Sequence, residues 1–463
     1  MLKSLGNIFR IPDLTKKVLF TLFIVFVHRF GCHVPVPFVD TEALTSFWVR
    51  SMGGQSMFNF IDMFSGRAFR NMTVFALGVM PYITASIIIQ LLMVVWPYLE
   101  KIAKEGEIGQ KKINQYTRYA TVAITAFQSM GISLFMLRMN LTTIADHKFL
   151  FIFTTMISMT TGTTLIMWLG EKISEKGIGN GISIIIAVGI MASYPMDLGI
   201  TYSMVKQGNL SKIWVLVVLA LFVVLSVVII MLHEGARKIP IQHAKRVVGR
   251  RIVSGSTTYL PLKVNQAGVI PVIFSSAILS FPGLILSLFG VGGTGIFTTL
   301  HNIFQINSDH SLYSLLGLES GGMFYLLRSV NIYIMLYTIL TIFFCYFYTA
   351  ITFNPVDTAE NLKKYGAFIP GRRPGKPTSD HIDFVLTRIT LVGATFLVAI
   401  AVLPMILNIS YRVPWALTDL IGGVGLIIVV DVFLDTIKQV ESHLLMRHYE
   451  GFTIRTGARG RRW

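Results

Sequence analysis

The sequence predicts an all-α polytopic membrane protein with ten transmembrane helices. The helices are predicted to form two pseudo-symmetric inverted halves of five, with a plug half-helix before the second span. Of the 463 residues, 53% are hydrophobic and only 14% are charged, which is far from the composition of soluble domains. The apolar residues fall into runs long enough to cross a bilayer, and the basic residues concentrate on one side of those runs.

Ten apolar runs follow one another along the chain. They lie at residues 18–37, 74–96, 117–137, 149–169, 182–202, 213–232, 266–289, 330–353, 384–407 and 417–437. A helix satisfies all of its own backbone hydrogen bonds in lipid. The alternative, a closed barrel, requires alternating segments of about ten residues, and the sequence has no such pattern. The runs are therefore predicted to be helices.

The distribution of basic residues predicts the orientation in the membrane. The net charge is +17, which in a soluble protein would suggest nucleic-acid binding. If the amino terminus is cytoplasmic, about three quarters of the 40 Lys and Arg residues fall on the cytoplasmic side, and the outer loop at residues 290–327 has none. Both termini are therefore predicted to be cytoplasmic. The first run ends without a small-residue cleavage site, so we expect it to be retained.

The span count predicts the domain organisation. Five spans in each half make the second half run inverted relative to the first, and inverted repeats place a functional pathway at their interface. The predicted units are an N-terminal half at residues 1–202, a hinge loop at 203–212, a C-terminal half at 213–440 and a basic cytoplasmic tail at 441–463. No self-similarity between the halves is visible in the sequence, so this division rests on counting spans.

Residues 57–71 form a short segment that cannot cross a membrane by itself. Its apolar residues recur at near-helical spacing: Met57, Phe58, Phe60, Ile61, Phe64 and Phe69. Polar residues such as Asp62 and Arg67 interrupt them, so the segment falls far short of about 20 apolar residues. It leads into a true span containing Gly78 and Pro81, which suggests a pore with a stopper. An interfacial helix before an ordinary span is the alternative.

Two cytoplasmic loops are long and basic enough to be docking surfaces. The loop at residues 233–265 alternates β-branched and charged residues around Gly249, Arg250 and Arg251, which is typical of a projecting hairpin. The loop at residues 353–384 has a short helical piece followed by a turn that carries Arg372 and Arg373. Exposed arginines suit RNA phosphate or an acidic protein. Charge that serves only to set topology is the alternative.

Several apparent motifs of enzymes and metal sites fail on inspection. The glycines at residues 290–295 match GxGxxG but follow a span into an outer loop, where no strand-turn-helix unit is available. No HExxH site, nucleophile elbow or phosphate-binding GxxxxGK[ST] loop is present. We therefore expect no enzyme, no cofactor and no metal. Asp431 and Asp435 in the last run are candidates for a proton relay, but their position near Lys438 favours a partnered or solvated role. Cys32 and Cys345 are predicted to be inert core thiols.

Five sequence blocks closely resemble the bacterial SecY family, the channel subunit of the protein-export translocon. The blocks are FALGVMPYITASIIIQLL (75–92), NQYTRYAT (114–121), MWLGEKISEKGIGNGISIII (167–186), LPLKVNQAGVIPVIF (260–274) and NPVDTAENLKKYGAFIPGRRPG (354–375). The resemblance covers nearly the whole chain. It implies an hourglass channel with a narrow waist, a plug on the outer side and a lateral gate toward lipid.

The resemblance also implies roles for individual residues. The waist would be lined by Val79, Ile83, Ile182, Ile186, Ile273 and Ile428. Such a ring of branched apolar side chains resists ions by dewetting. The plug would be residues 57–71, and Gln90 and Asn265 on gate helices could hydrogen-bond across the closed gate at about 1 kcal/mol each. Satisfaction within each helix is the alternative for these two residues. Arg373 would engage the translocation motor, with Arg250 and Arg251 also in the docking surface.

The predicted function is a protein-conducting channel in the bacterial cytoplasmic membrane. It would pass unfolded polypeptides across the membrane and hydrophobic segments laterally into it. The implied partners are the SecE and SecG subunits, the SecA ATPase, a translating ribosome, secretory and membrane-protein precursors, and anionic lipid. The alternative is an ion-coupled secondary transporter with inverted repeats, which would need a polar site at the membrane midplane. A third class, an assembly factor without a pore, would leave the plug-like segment unexplained.

Overall fold

The computed structural model describes residues 12–51, 62–144, 146–243, 246–248, 251–253, 257–288, 331–411 and 413–457. In the first half the helices are α1 (Pro12–Gly31), α2 (Thr41–Ser51), α3 (Met80–Val95), α4 (Pro97–Lys104), α5 (Glu107–Arg138), α6 (Lys148–Lys176) and α7 (Gly181–Lys206). In the second half they are α8 (Lys212–Glu234), α9 (Ile270–Leu288), α10 (Ile332–Thr352), α11 (Pro355–Lys364), α12 (Lys376–Tyr411), α13 (Trp415–Ile421) and α14 (Gly423–Gly457).

The helical membrane class is confirmed. Seven helices or continuous helix pairs among the described residues are long and apolar enough to cross a membrane, and α3 with α4 adds an eighth if this pair, bent by 101°, is one span. The two remaining predicted runs coincide with the 20-residue helix α1, which carries Lys16, Lys17 and Arg29, and with the 19-residue helix α9. These positions are consistent with the predicted ten spans.

The second span begins later than the sequence predicts. Residues 74–79 form turns, and the helix starts at Met80. Gly78 has a φ of 55°, in the left-handed region that glycine adopts without steric cost. Pro81 then occupies the first helical turn, where its missing N–H costs no hydrogen bond. The chain therefore turns sharply before the span.

The helices pack around one large apolar cluster. Its buried members come from α1, α3, α6 and α7 of the first half and from α8, α9, α10, α12, α13 and α14 of the second. Helix α7 contacts α13 and α14, and α9 contacts α3 and α5. The two halves therefore meet along two seams.

The two loops predicted to be cytoplasmic contain two small sheets in addition to the predicted helices. Strand β1 (Ala236–His243) pairs antiparallel with β4 (Thr257–Lys263) and with β5 (Ala367–Phe368). Strands β2 (Arg246–Val248) and β3 (Arg251–Val253) form an antiparallel hairpin, which confirms the hairpin predicted in this loop. Because β1 and β5 belong to different loops, the sheet joins the two predicted docking surfaces.

Candidate functional site

The residues predicted to form the waist come together in the fold. Val79, Ile83, Ile186, Ile273 and Ile428 are buried members of the same apolar cluster, and the partly buried Ile182 packs against it. They come from both halves of the chain, on α7, α9 and α14 and at or beside the start of α3. These residues from the two halves therefore lie in one apolar cluster, and we call them the predicted constriction. Its role as a pore ring stays a prediction.

The described part of the predicted plug lies against this constriction. Residues 62–65 are helical, and turns follow as far as residue 79. Phe64 is buried in the same apolar cluster as the waist residues. Four predicted plug residues, Met57, Phe58, Phe60 and Ile61, lie outside the described residues. We call residues 62–79 the inner segment.

The inner segment approaches the surrounding helices closely. A Cβ atom added to Gly66 would lie 2.8 Å from the Gly189 Cα of α7, so the two backbones touch without side chains between them. Arg29 of α1 donates a hydrogen bond from Nη1 to the Gly66 carbonyl oxygen at 3.1 Å. On the other side, a Cβ atom on Gly425 of α14 would lie 3.6 Å from the Met63 Sδ. The segment is therefore lodged between three helices.

Two ion pairs hold the inner segment in shape and in place. Asp62 accepts a hydrogen bond from the Arg70 backbone N–H at 2.8 Å, and its second oxygen lies 3.6 Å from the Arg70 Nε. Arg67 reaches out of the segment, and its Nη2 donates to Asp197 Oδ1 of α7 at 2.5 Å. Sequence reasoning missed Asp197. The sequence did contain a signal for it, because Asp197 lies inside the apolar run at residues 182–202 and a carboxylate there requires a partner.

The lateral gate residues differ from their predicted setting. Gln90 donates a hydrogen bond from Nε2 to Ser86 Oγ at 3.2 Å within α3, which is the local alternative that the sequence left open. Asn265 is buried but lies in the turn between β4 and α9, five residues before the helix begins. The start of α9 at Ile270 could not be predicted from hydropathy, because the apolar run begins before it, at residue 266. The gate roles of both residues stay predictions.

The docking turn is exposed and firmly anchored. Arg372 and Arg373 are exposed, between Gly371 and Gly375, whose φ angles are 79° and 97°. The Arg373 carbonyl oxygen accepts a hydrogen bond from Thr378 Oγ1 at 2.8 Å. Beneath the turn, a small apolar cluster links Ile369 to residues of β1, β4 and α12.

In the other docking loop, strands β2 and β3 pair antiparallel. The backbone of Arg251 pairs with Val248 across the hairpin, whereas Arg250 lies outside the described residues. The docking roles of Arg250, Arg251 and Arg373 stay predictions.

The carboxylates of the last span have a partner, as the sequence predicted. His233 at the end of α8 contacts Asp431 of α14 through Nδ1. The His233 Nε2 lies 3.3 Å from Asp435 Oδ1. Since His233 lies at the start of the loop at residues 233–265, the cluster joins α8 and α14 near that end of the bundle. Cys32 and Cys345 are buried free thiols, which also agrees with the prediction.

A cavity of about 580 Å³ lies near the end of α6. Its lining includes Tyr82, Asn114, Arg118, Glu171, Lys172 and Ile182. Arg118 of α5 donates from Nε to Glu171 Oε1 of α6 at 2.7 Å, so an ion pair forms part of the wall. Because Ile182 is also a predicted waist residue, this partly polar cavity adjoins the apolar cluster.

The fold and the site define a class of protein, a helical membrane protein whose two halves share a large apolar cluster, with a folded segment lodged between helices of the bundle. A family model described as SecY matches residues 73–437. The chain belongs to the SecY family.

Curated relatives match over almost their full length. The chain is 41% identical over 462 residues to a protein translocase subunit SecY of Streptomyces galbus, covering 98% of this chain and 100% of the relative. It is 42% identical over 450 residues to the protein translocase subunit SecY of Escherichia coli strain K12, covering 97% and 96%.

Solved structures share the fold. A structure of a protein conducting channel aligns with a TM-score of 0.62 at 17% identity, covering 92% of each chain. Sec61 in a canine ribosome-channel complex from the endoplasmic reticulum aligns with a TM-score of 0.59 at 16% identity, again covering 92% of each chain. At these identities the likeness establishes the fold alone.

Proposed function

We propose that the chain is the protein-conducting channel of a general secretory pathway. It passes unfolded polypeptides across the cytoplasmic membrane and releases hydrophobic segments sideways into the lipid. The observation that carries the proposal is the apolar cluster that contains the predicted waist residues of both halves, with Phe64 of the inner segment buried in it and a partly polar cavity at Ile182. Branched apolar side chains can exclude ions at rest and move aside for a passing chain without reading its sequence.

The contact between α9 and the pair α3 and α5 supports a lateral exit. These helices belong to different halves, so separation of the halves along this seam would open the constriction toward lipid. Gln90 bonds to Ser86 within its own helix, so this hydrogen bond does not hold the seam closed. In a bilayer, apolar side chains gain little from packing on each other rather than on lipid. A hydrophobic segment can therefore replace one wall of the gate.

The energy for transport comes from partners in this proposal. The SecA ATPase or a translating ribosome docks on the exposed turn with Arg373 and on the hairpin with Arg250 and Arg251. SecE and SecG pack around the bundle, and anionic lipid contacts the basic cytoplasmic face. Both termini lie in the cytoplasm. The protein itself performs no covalent chemistry on the transported chain.

Reconstitution tests this function directly. The chain is co-purified with SecE, inserted into vesicles and supplied with SecA, ATP and a radiolabelled secretory precursor. We expect ATP-dependent protection of the precursor from added protease. Ion-driven uptake of a small solute with no precursor import would instead support a secondary transporter and contradict the proposal.

A further inference from the structure

The ion pair between Arg67 and Asp197 ties the inner segment to α7 in the wall of the bundle. Arg67 Nη2 lies 2.5 Å from Asp197 Oδ1 and 3.4 Å from the Ser193 carbonyl oxygen. Both acceptors belong to α7, and the paired residues are 130 positions apart in the chain. We infer that this pair is a latch, which holds the inner segment in its closed position and sets how readily it leaves. The inference rests on the proposed channel function.

Burial makes this contact different from an ordinary surface ion pair. The side chains of Arg67 and Asp197 are 15% and 5% exposed, respectively. A carboxylate this deep in an apolar helix is costly unless a cation accompanies it. If the inner segment moved away, Arg67 would go with it and Asp197 would keep an uncompensated charge. Displacement of the segment is therefore opposed by the charge that it leaves behind.

The latch is also incomplete, which makes release feasible. Within the described residues, Arg67 Nη1 and Asp197 Oδ2 are buried without a hydrogen-bond partner, so the pair uses one donor and one acceptor instead of a bidentate fork. Arg67 itself has a φ of 69°, a left-handed conformation that a non-glycine residue keeps only when its surroundings hold it. Part of the attraction therefore offsets backbone strain. A latch of this kind holds the closed state without making it permanent.

The second ion pair of the inner segment provides a matched control. Arg70 and Asp62 are similarly buried, with side chains 20% and 7% exposed. Both residues belong to the segment, so their pair moves with it, and among the described residues neither side chain forms a direct ion pair with α7. Loss of this pair disturbs the local fold of the segment to a comparable degree but leaves the latch in place.

The test measures ion leak through the channel reconstituted with SecE in vesicles, without precursor or motor. Arg67→Gln and Asp197→Asn should each raise the leak by about tenfold or more, because each leaves one buried charge alone. Arg70→Gln should raise it much less. The charge-reversed double variant Arg67→Asp with Asp197→Arg restores an opposite-charge pair, and aspartate tolerates the left-handed conformation. Its leak should fall below that of either single variant.

Two results would overturn the latch. One is a leak at the parental level in both single variants, and the other is a reversed pair that leaks as much as they do. If a single variant fails to insert into the membrane, the leak of the charge-reversed double variant tests the latch instead, since that variant keeps opposite charges at positions 67 and 197. Precursor import by the parent protein is measured in the same vesicles. Absence of import contradicts the channel function, whereas normal import with unchanged leak in the variants contradicts only the latch.

Discussion

Two buried carboxylates of the apolar helices, Asp197 and Asp431, have partners on distant segments of the chain. Asp197 pairs with Arg67, and Asp431 pairs with His233, in both cases between residues more than 100 positions apart. A charge in an apolar helix is costly when it is alone, so each carboxylate implies a partner. Sequence reasoning applied this rule to Asp431 and Asp435 but not to Asp197. The identity of the partner could not be predicted, because it depends on which helices become neighbours.

The turn that carries Arg372 and Arg373 is exposed, so a substitution there can change partner docking without changing folding. Loss of a charge in a solvated turn changes the free energy of unfolding by no more than about 0.5 kcal/mol. We therefore expect Arg373→Glu to leave the protein abundant and inserted while precursor export collapses. Arg373→Lys should also be impaired if the partner presents a carboxylate or phosphate to the planar fork of arginine. Export assays and immunoblots of membrane fractions measure the two effects.

Arg372 provides the control for this prediction, since it is exposed on the same turn and carries the same charge. Equal export defects in Arg372→Glu and Arg373→Glu would reduce the site to a general basic patch. Normal export by Arg373→Glu would contradict the proposal that Arg373 docks a partner.

The waist can be tested by making its side chains polar. Replacement of Ile83, Ile186 and Ile428 together by Ser should hydrate the constriction and raise resting ion conductance, because dewetting requires an apolar lining. Such changes also cost stability, on the order of 2–5 kcal/mol for each large side chain removed from a packed core. Planar-bilayer conductance is therefore measured together with protein abundance.

Ile229 on α8 gives a matched comparison, because it is buried in the same apolar cluster but is not a predicted waist residue. Ile229→Ser should lower abundance without raising conductance. If the triple variant does the same, the three residues are ordinary core and do not line a pore.

At the scale of elements, the seating of the inner segment depends on the glycine contact with α7. Gly66→Ala would put a Cβ atom 2.8 Å from the Gly189 Cα and would also place alanine at a φ of 64°. The left-handed conformation alone costs about 1–2 kcal/mol, and the clash with backbone adds to it. We expect a raised resting leak, measured as ion efflux from vesicles, with export retained. Deletion of residues 58–67 should raise the leak further, and this leak is the reference for complete loss of the plug.

Gly208, between α7 and α8, is a control that separates the cost of the left-handed conformation from the cost of the clash with α7. It has a φ of 78°, but a Cβ atom there would meet no atom within 4 Å. Gly208→Ala therefore carries the conformational cost without the clash, and its leak should equal that of the parent protein. A parental leak in Gly66→Ala, or an unchanged leak after the deletion with loss of folding, would favour the interfacial-helix alternative.

At the scale of the whole molecule, the distribution of basic residues predicts topology. In a cysteine-free background, single cysteines at Ser256 and Lys376 should react with a membrane-impermeant maleimide only from the cytoplasmic side. A cysteine at Ser308 should react only from outside, because its loop lacks Lys and Arg. Labelling of position 308 from the cytoplasmic side alone would contradict the predicted span count.

Most of the helical architecture was predictable, because hydrophobic length is a property of the chain itself. The predicted run at residues 213–232 agrees closely with α8, and the run at residues 330–353 agrees with α10. The starts of α3 and α9 were not predictable from hydropathy. Apolar residues continue across both starts, and the helix boundary is instead set by backbone turns at Gly78 and Gly268, whose φ angles are 55° and 63°.

The sequence by itself determined the membrane class and the approximate spans, since these depend on composition and periodicity. Its motifs showed the resemblance to the family, and the candidate waist residues were what that resemblance implied. The tertiary structure decided what those residues contact. It joined the two docking loops through β1 and β5, brought the waist residues into one apolar cluster, and paired Arg67 with Asp197. The physical reason is that a buried charge or a backbone contact is satisfied by spatial neighbours, and helix packing brings distant parts of the chain together.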